Sequence, residues 1–539
     1  MKLNKRKSIL MLAISSALLI SACSGSSEST ASAQVNAASP VVKIASGQIK
    51  GAAEQGIQVF KGIPYAAAPV GQNRWREPQP VAPWSAVRDA TAFGNDCMQE
   101  PFPSDAAPLG ETPAEDCLYI NVWAPAETAK PAPVVIWIHG GGYVNGGASP
   151  AVYDGGEFAK SGVVFVSFNY RLGRFGFFAH PALTAAKEGP IGNYAFMDQI
   201  AALNWVKDNI GAFNGDPNKI TVMGESAGGG SVHTLMQAPA SKDLFQGAII
   251  MSGGGRSLMG ERSISEGTEQ YPSAEQIGLN FAEKNGIEGT GPEALNKMRA
   301  LSAETVLDGL GMMSMFNQGG GKQTYVGGPL ADGHTVLGST QAMLESGQVS
   351  RIPVMVGTTS MDIGFNMVPD KDTLFNAFGE NADKARAVYD PSGELPLQQV
   401  SYNVGQDRSM QEPARYVAKK MTELGQPAYL YRFSYVAESI RNGMGAQHAA
   451  EIPFFFQTID KKYDSLTEQD KLASSLPFNY VVNFVKTGNP NGPGLTEWQA
   501  FDPAKANMLD FTMDATAVHG TDPWKDRLDL IEQQSEQKK

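Results

Sequence analysis

Short runs of mostly apolar residues recur along the chain from about Val41, separated by longer stretches in which apolar positions return every three or four residues. Val134-Val135-Ile136-Trp137-Ile138, Val163-Val164-Phe165-Val166-Ser167-Phe168, Ile220-Thr221-Val222-Met223, Ile352-Pro353-Val354-Met355-Val356-Gly357 and Ala428-Tyr429-Leu430-Tyr431-Arg432-Phe433 are of the first kind. Such runs predict strands covered on both faces. Ile200, Leu203, Val206 and Ile210 are of the second kind and predict a helix with one apolar stripe. Strands alternating with helices predict the α/β class, a mostly parallel central sheet with helices on both faces. Residues 41–539 contain no internal repeat and no long linker, so they are expected to form one large domain with insertions after core strands.

One junction between the two patterns carries chemistry. The strand-like run ending at Met223 gives way to a small-residue, helix-compatible run from Ala227 to Met236 through Gly224-Glu225-Ser226-Ala227-Gly228. Glycines on both sides of a serine let the backbone turn sharply and let a carbonyl approach Oγ closely, which is the design of a nucleophile elbow. Upstream, the strand ending at Ile138 runs straight into His139-Gly140-Gly141-Gly142-Tyr143. Glycines there free backbone N–H groups to face an oxyanion, as in the His-Gly-Gly-Gly loop of esterases and lipases.

A hydrolytic serine needs a base and an orienting carboxylate, which in such folds follow it in the order acid, then histidine. Of six histidines, His139 belongs to the glycine loop, His180 and His519 are expected in loops before the acid or near the chain's end, His233 follows the serine within its helix, and His334 sits in a turn. His448 remains, in a loop beyond the strand-like run ending at Phe433. Asp362 is the carboxylate of choice, because it lies just past a buried strand, where the sites of open α/β sheets gather. Asp332 and Glu345 are its rivals, Asp332 standing in a Pro-Leu-Ala-Asp-Gly turn where aspartate serves turn chemistry alone.

Beyond these groups the chain resembles the type B carboxylesterases, the family that includes cholinesterases and bile-salt-activated lipases. The resemblance extends over most of the chain, through Gly62-Ile63-Pro64-Tyr65-Ala66, Glu115-Asp116-Cys117-Leu118-Tyr119-Ile120-Asn121-Val122-Trp123, Asn169-Tyr170-Arg171-Leu172-Gly173, Gly192-Asn193, Asp198-Gln199 and Trp498. It implies an α/β-hydrolase fold and a serine carboxylesterase that forms an acyl-enzyme. Ser226 would be the nucleophile, His448 the base and Asp362 the acid, with the N–H groups of Gly141, Gly142 and Ala227 as the oxyanion hole and Gly140, Glu225 and Glu451 in support. It implies a small-molecule ester as partner; no metal or other cofactor is called for, since histidines are few and unclustered and the cysteines are accounted for. The chain departs from the family where Asp362-Ile363 replaces the usual Glu-Gly, Ala449 replaces the glycine after the histidine, and Asn214 interrupts a Phe-Gly-Gly segment. An aspartate is one methylene shorter, so its loop must stand closer to His448.

The amino terminus reads as an export signal. Lys2, Lys5, Arg6 and Lys7 precede an apolar run from Ile9 to Ile20 that is too short to span a bilayer. Ile20-Ser21-Ala22-Cys23 resembles a bacterial lipobox, so residues 1–22 are expected to be removed, Cys23 lipidated, and residues 23–40 left as a flexible tether. An ordinary secretory signal is the alternative. The lipoprotein reading places the protein at the periplasmic face of a bacterial membrane, held by lipid alone. Cys97 and Cys117 are the other two cysteines; the family bridges the equivalent pair, and two buried free thiols are the alternative. Removing the signal takes away four positive charges and no negative ones, moving the net charge from −12 to −16. So acidic a chain argues against nucleic acid as a partner.

Sequence says less about the substrate. Met312, Met313, Met315 and Phe316 could form an adaptable apolar wall or could simply be core. Residues 98–116 contain no tryptophan, unlike the loop by which cholinesterases hold a quaternary ammonium, so a choline ester is disfavoured. Trp75 is expected to pack and Arg74 to form a structural salt bridge. A lipase, thioesterase or amidase, or a non-catalytic adhesion protein on the same fold, are the alternatives; the adhesion relatives lack the serine that this chain retains.

Overall fold

The computed structural model describes residues 39–537 except 103–105, 257–260, 315–320 and 442. The expectations for residues 1–38, including Cys23, and for Met315 and Phe316 lie outside the described residues. Ser39 onward is one compact unit.

Its frame is a mixed sheet of eleven strands: β1 (Ala52–Glu54), β2 (Ile57–Pro64), β3 (Tyr119–Pro125), β4 (Ala132–Ile138), β5 (Val164–Phe168), β6 (Gly215–Glu225), β7 (Gly247–Met251), β8 (Val354–Thr359), β9 (Ala428–Phe433), β10 (Asn507–Phe511) and β11 (Ala517–Thr521). Their spatial order is 1-2-3-5-4-6-7-8-9-10-11, parallel from β5 through β10 and antiparallel at both ends. Strands β4, β5, β7, β8 and β9 are buried at every position but Pro133, because both faces are covered. Val134, Ile136 and Ile138 of β4 enter one core with Val222, Ile250 and Val356, whereas Val135 and Trp137 enter a second core with Met223, Ile249 and Met355. That division is the period-2 alternation of a strand expressed as two cores.

Helices α1 (Tyr194–Asn209), α2 (Ala227–Gln237), α3 (Leu397–Gln406), α4 (Glu412–Glu423), α5 (Glu468–Thr487) and α6 (Lys525–Gln537) complete the part of the frame that bears on the site. Leu203 and Val206 of α1, Val232 and Leu235 of α2, and Ala414 and Val417 of α4 pack in the first core. Tyr480, Val481 and Phe484 of α5 pack in the second, so helices lie on both faces. A capping box starts α5, where Thr467 Oγ1 accepts from the Asp470 N–H and the Asp470 carboxylate accepts from the Thr467 N–H.

Most strand boundaries follow the apolar runs. The strand expected from Ile352 begins at Val354, since Pro353 has no N–H to give a ladder. Of the two histidines expected in loops, His180 lies in the connection before a short helix and caps it, its Nδ1 accepting from the Ala182 N–H at 3.1 Å, whereas His519 lies in β11 opposite Leu509.

Candidate active site

Ser226 joins β6 to α2 with φ 56° and ψ −122°, a backbone region that costs a non-glycine residue about 1–3 kcal/mol. Its N–H donates to the Met251 carbonyl at the end of β7, 2.9 Å away. The flanking glycines are demanded by space. A Cβ on Gly224 would stand 2.4 Å from the Gly228 carbonyl oxygen, and one on Gly228 would stand 2.1 Å from that of Ile138. Close backbone contact is thus what lets the turn be so sharp.

The glycine loop after β4 lies directly against this turn. A Cβ on Gly140 would come within 2.8 Å of Glu225 Oε2 and 3.0 Å of Ser226 Cβ. His139 anchors the loop: its ring stacks on Tyr170 with centroids 4.3 Å apart, and the Tyr170 hydroxyl donates to the His139 carbonyl at 2.7 Å. Burial pushes the His139 imidazole down to about 4, so it is neutral and structural. The Gly141 carbonyl accepts from the N–H groups of Val144 and Asn145 and closes a tight turn.

His448 and Asp362 arrive from neighbouring strands. Parallel pairing of β8 with β9 puts the segments that follow them side by side, and the Met361 N–H donates to the Ala446 carbonyl at 2.8 Å. His448 Nδ1 then lies 2.7 Å from Asp362 Oδ1, and Nε2 faces the elbow, 3.2 Å from Glu225 Oε1. Asp362 is fully buried. Its Oδ1 also accepts from the Ile363 N–H at 2.8 Å, while Oδ2 accepts from the Ser252 hydroxyl at 2.6 Å and the Thr359 N–H at 3.1 Å. Burial opposes the carboxylate, but His448 and these donors outweigh it and hold Asp362 below the usual aspartate range.

Three acidic side chains therefore surround one imidazole that is a quarter exposed. Burial works against an imidazolium, yet Glu225, Asp362 and Glu451 outweigh it and push His448 up to about 10. Glu451 differs from the other two. It is fully buried, and among the described residues neither of its carboxyl oxygens meets a hydrogen-bond partner. Burial, with the negative charge of Glu225 and Asp362 added, raises it well above the usual range.

The structure thus gathers Ser226, Gly140, Glu225, Asp362, His448 and Glu451 at the carboxyl ends of β4, β6, β7, β8 and β9, with Gly141, Gly142 and Ala227 in the same two turns. The rivals are engaged elsewhere. Asp332 caps its own turn, accepting from the N–H groups of His334, Thr335 and Val336, and Glu345 accepts from the Tyr416 hydroxyl. Met312 packs against the first core and Met313 is 79% exposed. Cys97 and Cys117 form a disulfide, with Cα atoms 4.9 Å apart. Arg74 pairs with Glu115, Nη2 to Oε2 at 2.9 Å, and Trp75 is buried. No group of histidine, cysteine and acidic residues suited to a metal occurs among the described residues.

Sequence reasoning missed Ser252 and Gln406, which bind Asp362 from two sides. Ser252 had a signal, since it directly follows the buried run Ala248-Ile249-Ile250-Met251 at the same end of the sheet. Gln406 had none.

The Carboxylesterase family model matches residues 38–527. The chain belongs to this family. It is 34% identical to the para-nitrobenzyl esterase of Bacillus subtilis (strain 168), over 84% of this chain and 91% of that one. It is 31% identical to the fumonisin B1 esterase of Sphingopyxis macrogoltabida, over 85% and 84%, and 31% identical to the human cocaine esterase, over 92% of each. A solved structure of PNB esterase superposes with a TM-score of 0.75 at 32% identity, over 91% of this chain and 99% of that one. The fold is that of the α/β-hydrolases, and this family member is a carboxylic ester hydrolase.

Proposed function

We propose that the protein hydrolyses small to medium carboxylic esters through an acyl-enzyme. The Ser226 hydroxyl attacks the ester carbonyl while His448 Nε2 takes its proton, Asp362 holds the ring through Nδ1, and the N–H groups of Gly141, Gly142 and Ala227 receive the negative oxygen. Collapse of this intermediate expels the alcohol, to which the imidazolium returns the proton. Water then attacks the acyl-enzyme by the same route and releases the acid. The observation carrying this reading is the 2.7 Å contact of His448 with Asp362, made while the opposite ring nitrogen faces the elbow. Donors aimed at the oxyanion are worth about 2.7–4 kcal/mol each in the transition state.

The relatives named for nitrobenzyl, fumonisin and cocaine esters support a bulky ester, and the absence of tryptophan between Cys97 and Cys117 disfavours choline esters. The amino-terminal sequence supports an exported lipoprotein attached at Cys23 to a bacterial membrane facing the periplasm, with residues 23–40 as its tether. The test uses soluble protein lacking residues 1–23. It should release p-nitrophenol from short and medium acyl esters, and a fluorophosphonate should modify Ser226 alone on peptide mapping. Failure of both overturns the proposal; a rate that climbs steadily to long chains makes it a lipase instead.

A further inference from the structure

Between α3 and α4 the helix does not break. It passes through a π-helical turn, Asp407–Gln411, with right-handed helical backbone on both sides. Such turns are rare in proteins. Here the turn meets the segment that carries the acid. The Tyr402 hydroxyl donates to the carbonyls of Asp362 at 2.5 Å and Met361 at 3.2 Å, and Gln406 Oε1 accepts from the Asp362 N–H at 3.0 Å. The Ser409 hydroxyl donates to the Ile363 carbonyl. Gln411 Nε2 donates to the Thr359 carbonyl at 2.6 Å, and its Oε1 accepts from the Thr358 hydroxyl at 2.7 Å.

Helix geometry explains why the π turn matters. Tyr402 and Gln406 are four apart and share a face of any α-helix. Gln411 is five beyond Gln406, which an α-helix at 3.6 residues per turn would place about 140° around the axis. Hydrogen bonding from i to i+5 brings it back onto that face. The turn is held from behind as well: Asp407 accepts from Arg527 Nε and Nη2 at 2.8 Å each and from the Tyr389 hydroxyl at 2.7 Å, tying it to α6.

We propose that this π-helical turn is the positioning element of the acid, Tyr402, Gln406, Ser409 and Gln411 fixing the backbone of Thr358–Ile363 so that the short aspartate side chain reaches His448. The inference rests on the triad reading above and adds residues whose hydrogen bonds go to the segment that carries the acid. Displacing a reacting group by about 1 Å can lower a rate on the order of a hundredfold.

The test measures kcat, KM and the pH profile of ester hydrolysis for Gln406→Leu, Gln411→Leu and Tyr402→Phe, alongside Asp362→Asn. Gln406→Leu and Gln411→Leu should lower kcat about ten- to a hundredfold with KM within twofold, and shift the acidic limb of the profile to lower pH as the carboxylate loosens its hold on the imidazole. Tyr402→Phe removes one hydroxyl from a half-buried position and should act in the same direction by a smaller factor, which keeps the test alive should either leucine variant fail to fold. Wild-type kcat and an unmoved limb in folded variants, with Asp362→Asn inactive, overturn this inference alone. Full activity in Asp362→Asn overturns the triad reading itself.

Discussion

The Ser252 hydroxyl donates to Asp362 Oδ2 at 2.6 Å, gripping the oxygen of the buried carboxylate that does not face His448. Ser252 itself is held by strand geometry, its N–H donating to the Gly357 carbonyl of the neighbouring β8 at 2.8 Å. The serine after one strand therefore fixes the rotamer of an aspartate after the next. A hydrogen bond to a charged group contributes about 1.5–3 kcal/mol. Ser252→Ala should lose stability on that scale in denaturant unfolding and should lower kcat, with KM little changed.

Ser226 pays for its place at the elbow in backbone strain. Ser226→Ala keeps that strain and should remove nearly all turnover, on the order of a millionfold in kcat. Ser226→Gly should be as inactive yet more stable than Ser226→Ala by about 1 kcal/mol, the relief of a positive φ less the extra freedom of an unfolded glycine. Equal melting temperatures of the two variants would contradict the strained geometry.

The charge around His448 sets the pH dependence. Because Glu225, Asp362 and Glu451 raise the imidazole, activity should be lost as pH falls through a limb lying above the ordinary imidazole value, and kcat/KM should still be rising above pH 7. Glu225→Gln removes the largest of these contributions and should move that limb to lower pH. The linked stability has the opposite slope: the raised imidazole contributes stability fully present below about pH 6.5, and this is lost as pH climbs towards the folded value near 10. Unfolding free energies measured across that window check the sign.

Glu451 offers a separate test, because a buried carboxyl pushed towards its neutral form should tolerate replacement by an amide. Glu451→Gln should retain wild-type stability and most of its kcat, whereas Glu451→Ala opens a hole in a buried cluster and should be destabilised by more than 1 kcal/mol. A large loss in the glutamine variant would show that the group works as a carboxylate.

Reduction of the Cys97–Cys117 bridge frees a loop with a sequence separation of 20. Loop-closure entropy for a ring of that size is about 3 kcal/mol. The Cys97→Ala, Cys117→Ala double variant should lose about that much stability while keeping its kcat, since the bridge borders a cavity lined by Arg74, Glu115, Arg171 and Phe175, none of them a group assigned to the reaction.

Much of the architecture was legible because apolar runs and helical stripes are local patterns. The strand–turn–helix around Ser226, the glycine loop after Ile138 and the strand from Ala428 to Phe433 could all be read from neighbours in the chain. Elimination among six histidines pointed to His448, and a position just past a strand pointed to Asp362. What lay beyond reach was every relationship between segments. That Nε2 of His448 faces Glu225, that Ser252 and Gln406 clasp Asp362 from opposite sides, and that a π-helical turn carries Gln411 onto the face of Gln406 depend on strand order, loop register and a helical twist altered at one turn. Apolar periodicity determines which residues leave water, because burial is a property of each side chain. It says little about which polar groups then meet, because those contacts join residues far apart in the chain, Glu225 and His448 being 223 positions apart, and only the folded sheet brings their loops to one edge.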